Sequence, residues 1–147
     1  MDQHGLSTEE LLRLLFKSPS LPVFLEEKEE DLSLPAFHEH ITALCSERGE
    51  VPEHIIRRAG LARSYGHQLF SGKRKPSRDT VIQLAFAMDA DVPQAQEMLK
   101  IARKSPLYPR IKRDTVIIYC LHNHISLVET GIILTDLKLP ALGGKDQ

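Results

Sequence analysis

Apolar positions along this chain recur at three- and four-residue spacing, interrupted by glycine, proline and small polar residues, a rhythm that predicts helices nearly end to end. Ser7-Thr8-Glu9-Glu10 has the form of a capping box. It opens a helix in which Leu11, Leu12, Leu14, Leu15 and Phe16 make a broad apolar face, closed by Lys17-Ser18-Pro19. A second short helix is predicted over Pro22 to Glu30, with Val23, Phe24 and Leu25 as its buried side and an acidic tail from Glu26 to Asp31. Ser33 is placed to cap a third helix with Pro35 in its first turn. Phe37, Ile41, Leu44 and Cys45 follow at helical spacing as far as Gly49.

The stretch from Glu50 to Ser77 carries two short helical patterns joined at Gly60, where the lack of a Cβ permits a sharp turn. The first begins near Pro52 and turns Ile55, Ile56 and Ala59 inward, with Arg57 and Arg58 outward. The second runs from about Arg63 to just before Gly72. Leu69 and Phe70 anchor it, and Gly66 allows a neighbouring helix to approach closely. Arg63, Ser64, Tyr65, His67, Gln68 and Ser71 face outward, hydrogen-bonding side chains of the kind that read base edges and phosphates. Behind them Lys73, Arg74 and Lys75, joined by Arg78, offer cations to a phosphate backbone. Together these are a helix-turn-helix signature.

Downstream, Ser77 can cap a helix from Arg78 to Met88, with Val81, Ile82, Leu84, Ala85 and Met88 facing the core. Asp91-Val92-Pro93-Gln94 starts another that runs to about Arg103. Pro106 to Pro109 interrupts helix formation. The β-branched run from Thr115 to His122 is readable as a buried strand, but no second strand exists to pair with it, so helix is predicted. Ser126-Leu127-Val128-Glu129 forms a capping box for a last helix carrying Ile132, Ile133, Leu134 and Leu137. The expected architecture is all-α: an N-terminal helical extension (1–32), a five-helix helix-turn-helix bundle (33–104), a C-terminal helical hairpin (110–140) that docks on the bundle or joins a dimer interface, and a flexible tail (141–147).

Charge sharpens this picture. The formal net charge of −1 divides into −7 over residues 1–50, +8 over 51–113 and −2 over 114–147, and no acid interrupts the seven bases between Arg57 and Arg78. A set of solvated helix faces is the bland alternative; the concentration of positive charge on the motif is what a DNA-facing surface needs. Enzymatic readings find little support. His38 and His40, like His122 and His124, point to different faces of a helix, and Cys120 with His124 supplies only two ligands. There is no phosphate loop, nucleophile elbow or paired carboxylate, so no catalytic residue, metal or cofactor is expected. Cys45 and Cys120 read as buried free thiols. With no apolar run near the ~20 residues that span a bilayer and no signal-like N-terminus, a cytoplasmic protein is expected.

Residues 34–103, about half the chain, resemble the lambda-repressor-like, or xenobiotic-response-element type, helix-turn-helix domain of bacterial and phage transcriptional regulators. The likeness rests on the Ile55 to Ala59 helix, the Gly60 turn, Arg63-Ser64-Tyr65, Gly72-Lys73-Arg74-Lys75-Pro76-Ser77 and the stretch from Leu84-Ala85 to Asp91. The whole chain also looks like a group of small bacterial proteins of this type that share a core, here Tyr65 to Arg78, some of them encoded near serine/threonine kinases. The resemblance implies a homodimer on double-stranded DNA, with Arg63, Ser64, Tyr65, His67 and Gln68 nearest the bases. Where many members have a phosphate-holding Gln this chain has Pro52-Glu53, and where many cap the second motif helix with Ser or Thr it has Ala62. A second reading stays open: a protein-interaction module of the same fold, in a kinase-linked or toxin–antitoxin-type complex.

Overall fold

Ser7, Ser20, Ser77, Asp91 and Ser126 each start a helix by accepting a backbone N–H in its first turn. In the computed structural model, which describes residues 5–143, Ser7 Oγ accepts the Glu10 N–H and Glu10 Oε1 accepts the Ser7 N–H, each at 3.1 Å. This reciprocal cap opens α1 (Thr8–Lys17). Ser20 caps α2 (Leu21–Glu27), which is shorter than predicted because the acidic run tightens into a separate 3-10 turn, Glu29–Asp31. Of the three residues expected to be buried in α2, Phe24 is, whereas Val23 and Leu25 are 47% and 48% exposed. Successive helical residues stand ~100° apart, so Val23 and Leu25 lie ~200° from each other and a single narrow buried stripe centred on Phe24 leaves both at its edges. Asp31 accepts the Leu6 N–H at 3.2 Å, joining the two ends of this first unit, which closes at Leu34.

The second unit, beginning at Pro35, contains α3 (Phe37–Glu47), α4 (Pro52–Arg58), α5 (Arg63–Ser71), α6 (Arg78–Ala87), α7 (Val92–Ile101), α8 (Lys112–His122) and α9 (Leu127–Asp136). No strand occurs among the described residues, and the chain is all-α. One predicted start is displaced: Ser33 does not cap α3, whose N-cap is Ala36 with no side-chain bond. Proline's fixed φ suits extended backbone as well as a first helical turn, and here Pro35 lies in the extended approach. At α9 the cap is a single bond, Glu129 N–H to Ser126 Oγ at 3.1 Å, where a reciprocal box was expected.

Helix α6 is the centre of this unit. Thr80, Val81, Ile82, Gln83, Leu84, Ala85 and Ala87 are buried, so it has apolar neighbours on every side. Helices α4, α7 and α9 pack against it. Ile41, Ile55, Leu69, Met98, Leu99 and Ile117 complete the core from the surrounding helices. Full burial of side chains this size contributes about 1.5–3 kcal/mol each. The C-terminal hairpin therefore belongs to the same unit as the five preceding helices, with Leu134 fully buried. Cys45 and Cys120 are buried free thiols, and burial raises the Cys45 thiol above its ordinary pKa. Of the predicted flexible tail, Leu142 packs against the core, while residues 144–147 lie outside the described residues. No helix among the described residues is long and apolar enough to cross a membrane.

Two glycines set the angle between α4 and α5. Gly60 turns the chain with φ +73°, a left-handed conformation that disfavours other residues. Gly66 lets the helices touch: a Cβ added there would collide with Ile56 Cγ2 and lie 2.6 Å from Ile56 Cγ1, inside any tolerable contact. Gly66→Ala should therefore destabilise the protein by about 1–3 kcal/mol through overpacking. Adding Ile56→Ala to Gly66→Ala should cost less than the sum of the two single changes, as measured by urea unfolding; strict additivity would show that this contact does not set the packing.

Candidate nucleic-acid interface

The face that α5 turns away from the core begins with Arg63 and Ser64, both exposed, continues through the partly exposed His67 and Gln68, and ends at Ser71, whose hydroxyl donates to the Gln68 carbonyl at 3.2 Å. Leu69 is fully buried and Phe70 is half-buried, so the helix is anchored as its apolar pattern predicts. Its N-cap, Ala62, makes no side-chain bond, which leaves the first-turn N–H groups without a capping oxygen. At the other end the Lys73 N–H donates to the Gln68 carbonyl at 2.9 Å, closing the helix and sending the chain into Lys73-Arg74-Lys75. All three cations are exposed, and no ion pair engages Lys73 or Lys75 among the described residues.

Tyr65 does not stand free beside them. Its hydroxyl is 3.2 Å from Thr80 Oγ1 at the start of α6, and the Arg74 guanidinium sits 5.9 Å from its ring centroid. The ring packs against the core, and the cation above it is held by the negative face of the aromatic system. Tyr65 thus positions the basic arm, a different place from the exposed one the sequence suggested.

Glu53, in the first turn of α4, changes the electrostatics of the face. Its carboxylate accepts from Arg63 Nε at 3.0 and 3.2 Å and meets His67 Nε2 at 2.7 Å. The hydrogen bond with His67 first, and then that from Arg63, hold the Glu53 carboxyl below the usual range. Two side chains expected to reach bases are therefore tied to one acid. The pairing spans ten residues across a turn, so helical periodicity gives no hint of it. Arg58 is engaged as well, at 2.8 Å from Glu50, whereas Arg57 is exposed.

Arg78, expected to join the phosphate-binding cations, is engaged within the fold. Nη1 and Nη2 donate to the Asp114 carboxylate at 3.2 and 2.9 Å, while Nε and Nη2 donate to the carbonyls of Ser105 and Pro106, each at 2.9 Å. Asp114 is 1% exposed and also accepts the Tyr108 N–H at 3.0 Å. Next to this fork, Arg113 donates to Asp79 at 2.9 and 3.1 Å, and to the carbonyls of Pro140 and Ala141. Two antiparallel bidentate pairs thus bind the first turn of α6 to the first turn of α8. Asp114→Ala leaves Arg78 without its counter-charge in a largely buried place and should cost about 3 kcal/mol. Thermal unfolding checks this, and an unchanged midpoint would count against the fork as a structural clamp.

The arrangement brings together Arg63, Ser64, His67, Gln68, Ser71 and the arm Lys73-Arg74-Lys75 on one side of α5 and its following loop, with Tyr65 beneath the arm and Arg78 outside the group. No group of metal-ligating side chains large enough to hold an ion occurs among the described residues. In comparisons with known proteins, the chain matches no family model, no curated protein and no solved structure.

Proposed function

We propose that this chain is a sequence-specific duplex-DNA-binding regulator of the lambda-repressor-like helix-turn-helix type. In this reading α4 and α5 form the motif, α5 enters the major groove, and Lys73, Arg74 and Lys75 hold the flanking backbone. The observation that carries it is the pairing of a short helix fixed against its neighbour through Gly66 with an exposed cationic arm immediately after it. Phosphate contacts position such a protein and base contacts specify the site. Ser64 and Gln68 are the readers least engaged with other side chains; Arg63 and His67 must exchange Glu53 for the nucleic acid. A homodimer would place half-sites about one helical turn apart, near 34 Å. Exposed Tyr119, Val128 and Ile132 on the C-terminal hairpin supply apolar surface that such a dimer can cover.

Salt-dependent binding to genomic DNA fragments tests this. Arg74→Gln or Lys75→Gln should weaken binding to all sequences alike and lower the salt slope by about one unit for each phosphate that is no longer neutralised. Gln68→Ala or Arg63→Ala should alter sequence preference. Glu53→Gln removes a carboxylate from the face and releases Arg63 and His67, so it should strengthen binding, most clearly at low salt where exposed charges are least screened. If the Arg63, Gln68, Arg74 and Lys75 variants all bind as wild type does, the face is not a DNA surface.

The Glu53 contacts favour one other reading, a protein-interaction module, because they neutralise part of the face that DNA would use. Its partner would be an acidic protein, such as a kinase, gripped by Tyr65, His67, Phe70 and the basic arm. Recovery of one stoichiometric protein partner, with no DNA retained at low salt, would decide for it.

A further inference from the structure

A concavity of about 640 Å³ opens between the α4–α5 turn and the loop joining α5 to α6. Leu61 and Pro76 give it apolar lining, Arg74, Lys75 and Lys104 give it positive charge, and Gln83 lines it from the central helix. Lys104 comes from the segment after α7, so the three cations converge from two separate parts of the chain. Among the described residues no ion pair engages any of them.

Gln83 is the member that packing alone does not explain. It is 5% exposed, its Nε2 donates to the Ala59 carbonyl at 3.0 Å, and its Oε1 is buried with no hydrogen-bond partner. A buried amide oxygen is costly to leave unpaired, and a helix core otherwise selects an apolar residue at such a position. We propose that the concavity binds a phosphorylated small molecule of the mononucleotide class. Its phosphate lies among Arg74, Lys75 and Lys104, and an N–H or O–H at its other end donates to Gln83 Oε1.

The chemistry narrows the ligand from both sides. Converging cations favour a group carrying close to two negative charges, as a phosphate monoester does. The unpaired oxygen requires a donor, which inorganic anions of full charge and apolar molecules do not supply. The volume falls within the range of about 300–1,000 Å³ typical of small-molecule sites. A phosphodiester of a DNA backbone shares the anionic chemistry but carries one charge and has no donor for an oxygen inside the fold.

Titration calorimetry on the full-length protein at low salt tests this, with AMP and GMP as probes and inorganic phosphate and adenosine as their separated halves. At least one nucleotide should saturate a single site, with affinity about tenfold above that of either half. Lys104→Gln should weaken that nucleotide about tenfold, as removal of a charge-assisted hydrogen bond does. Gln83→Met should abolish its advantage over phosphate. Circular dichroism establishes that each variant folds; should Gln83→Met fail, Lys104→Gln decides alone, because Lys104 is only half-buried. The proposal is overturned if neither nucleotide saturates, if phosphate binds as tightly as both nucleotides, or if Lys104→Gln changes nothing. Duplex oligonucleotide binding without nucleotide binding would assign Arg74 and Lys75 to a DNA backbone and equally overturn it. Duplex binding is not required for the expected result, so this site and the proposed DNA face can fail separately.

Discussion

Helix α6 has almost no solvent side, and its neighbours take their places accordingly. Residues 80–85 are buried in an unbroken run, so three helices must cover α6, and each presents an apolar stripe to it. Apart from the half-buried Phe86, only its first turn reaches the surface, where Ser77 Oγ accepts the Thr80 N–H at 3.1 Å and Thr80 lies within reach of the Tyr65 hydroxyl. The loop carrying the basic arm is thereby stretched between two fixed points, the end of α5 and the start of α6. Six residues, Gly72 to Ser77, fill the gap, and the first four of them are exposed. A loop this short between packed helices has little conformational freedom left to lose, which favours binding by pre-organisation.

Four acids near the motif and at the junction of α6 with α8 are each paired with an arginine. Glu50 meets Arg58, Glu53 meets Arg63 and His67, Asp79 meets Arg113, and Asp114 meets Arg78. Pairs on the surface contribute little to stability, while the largely buried Arg78–Asp114 pair costs much more to break than to replace whole. The positive excess that sequence counting assigns to residues 51–113 is thus smaller where it matters. On α4, α5 and the loop that follows, the cations left over are Arg57, Lys73, Arg74 and Lys75. They define the places where an outside anion meets no competing carboxylate among the described residues.

Much of the fold was legible in the sequence because its cues are local. Ser7, Ser77 and Asp91 cap where hydroxyl and carboxylate side chains precede apolar periodicity, and the helix over 112–122 follows from the absence of any strand to pair with. Failures arose where one local cue admits two outcomes, as with Pro35, or where adjacent residues were assigned to one face, as with Val23 and Leu25. The candidate site was legible in its parts and less so in its wiring. Arg63, His67 and Arg78 were recognisable as cations or hydrogen-bonding groups, but their partners lie 10, 14 and 36 residues away. Only folding brings such pairs together. One cue did exist: Arg-Asp-Thr occurs twice, at 78–80 and 113–115, each time in the first turn of a helix.

Those repeated tripeptides carry a consequence for how the chain finds its alignment. Arg78 opposes Asp114 and Asp79 opposes Arg113, so the two segments meet head to tail with opposite signs in both places. Sliding one segment by a single residue would set Arg78 against Arg113 in one direction and Asp79 against Asp114 in the other. Either slip breaks both bidentate pairs and brings like charges together at one position. The motif therefore acts as a key cut for one register. Apolar packing tolerates small slips between helices; this junction penalises the smallest one.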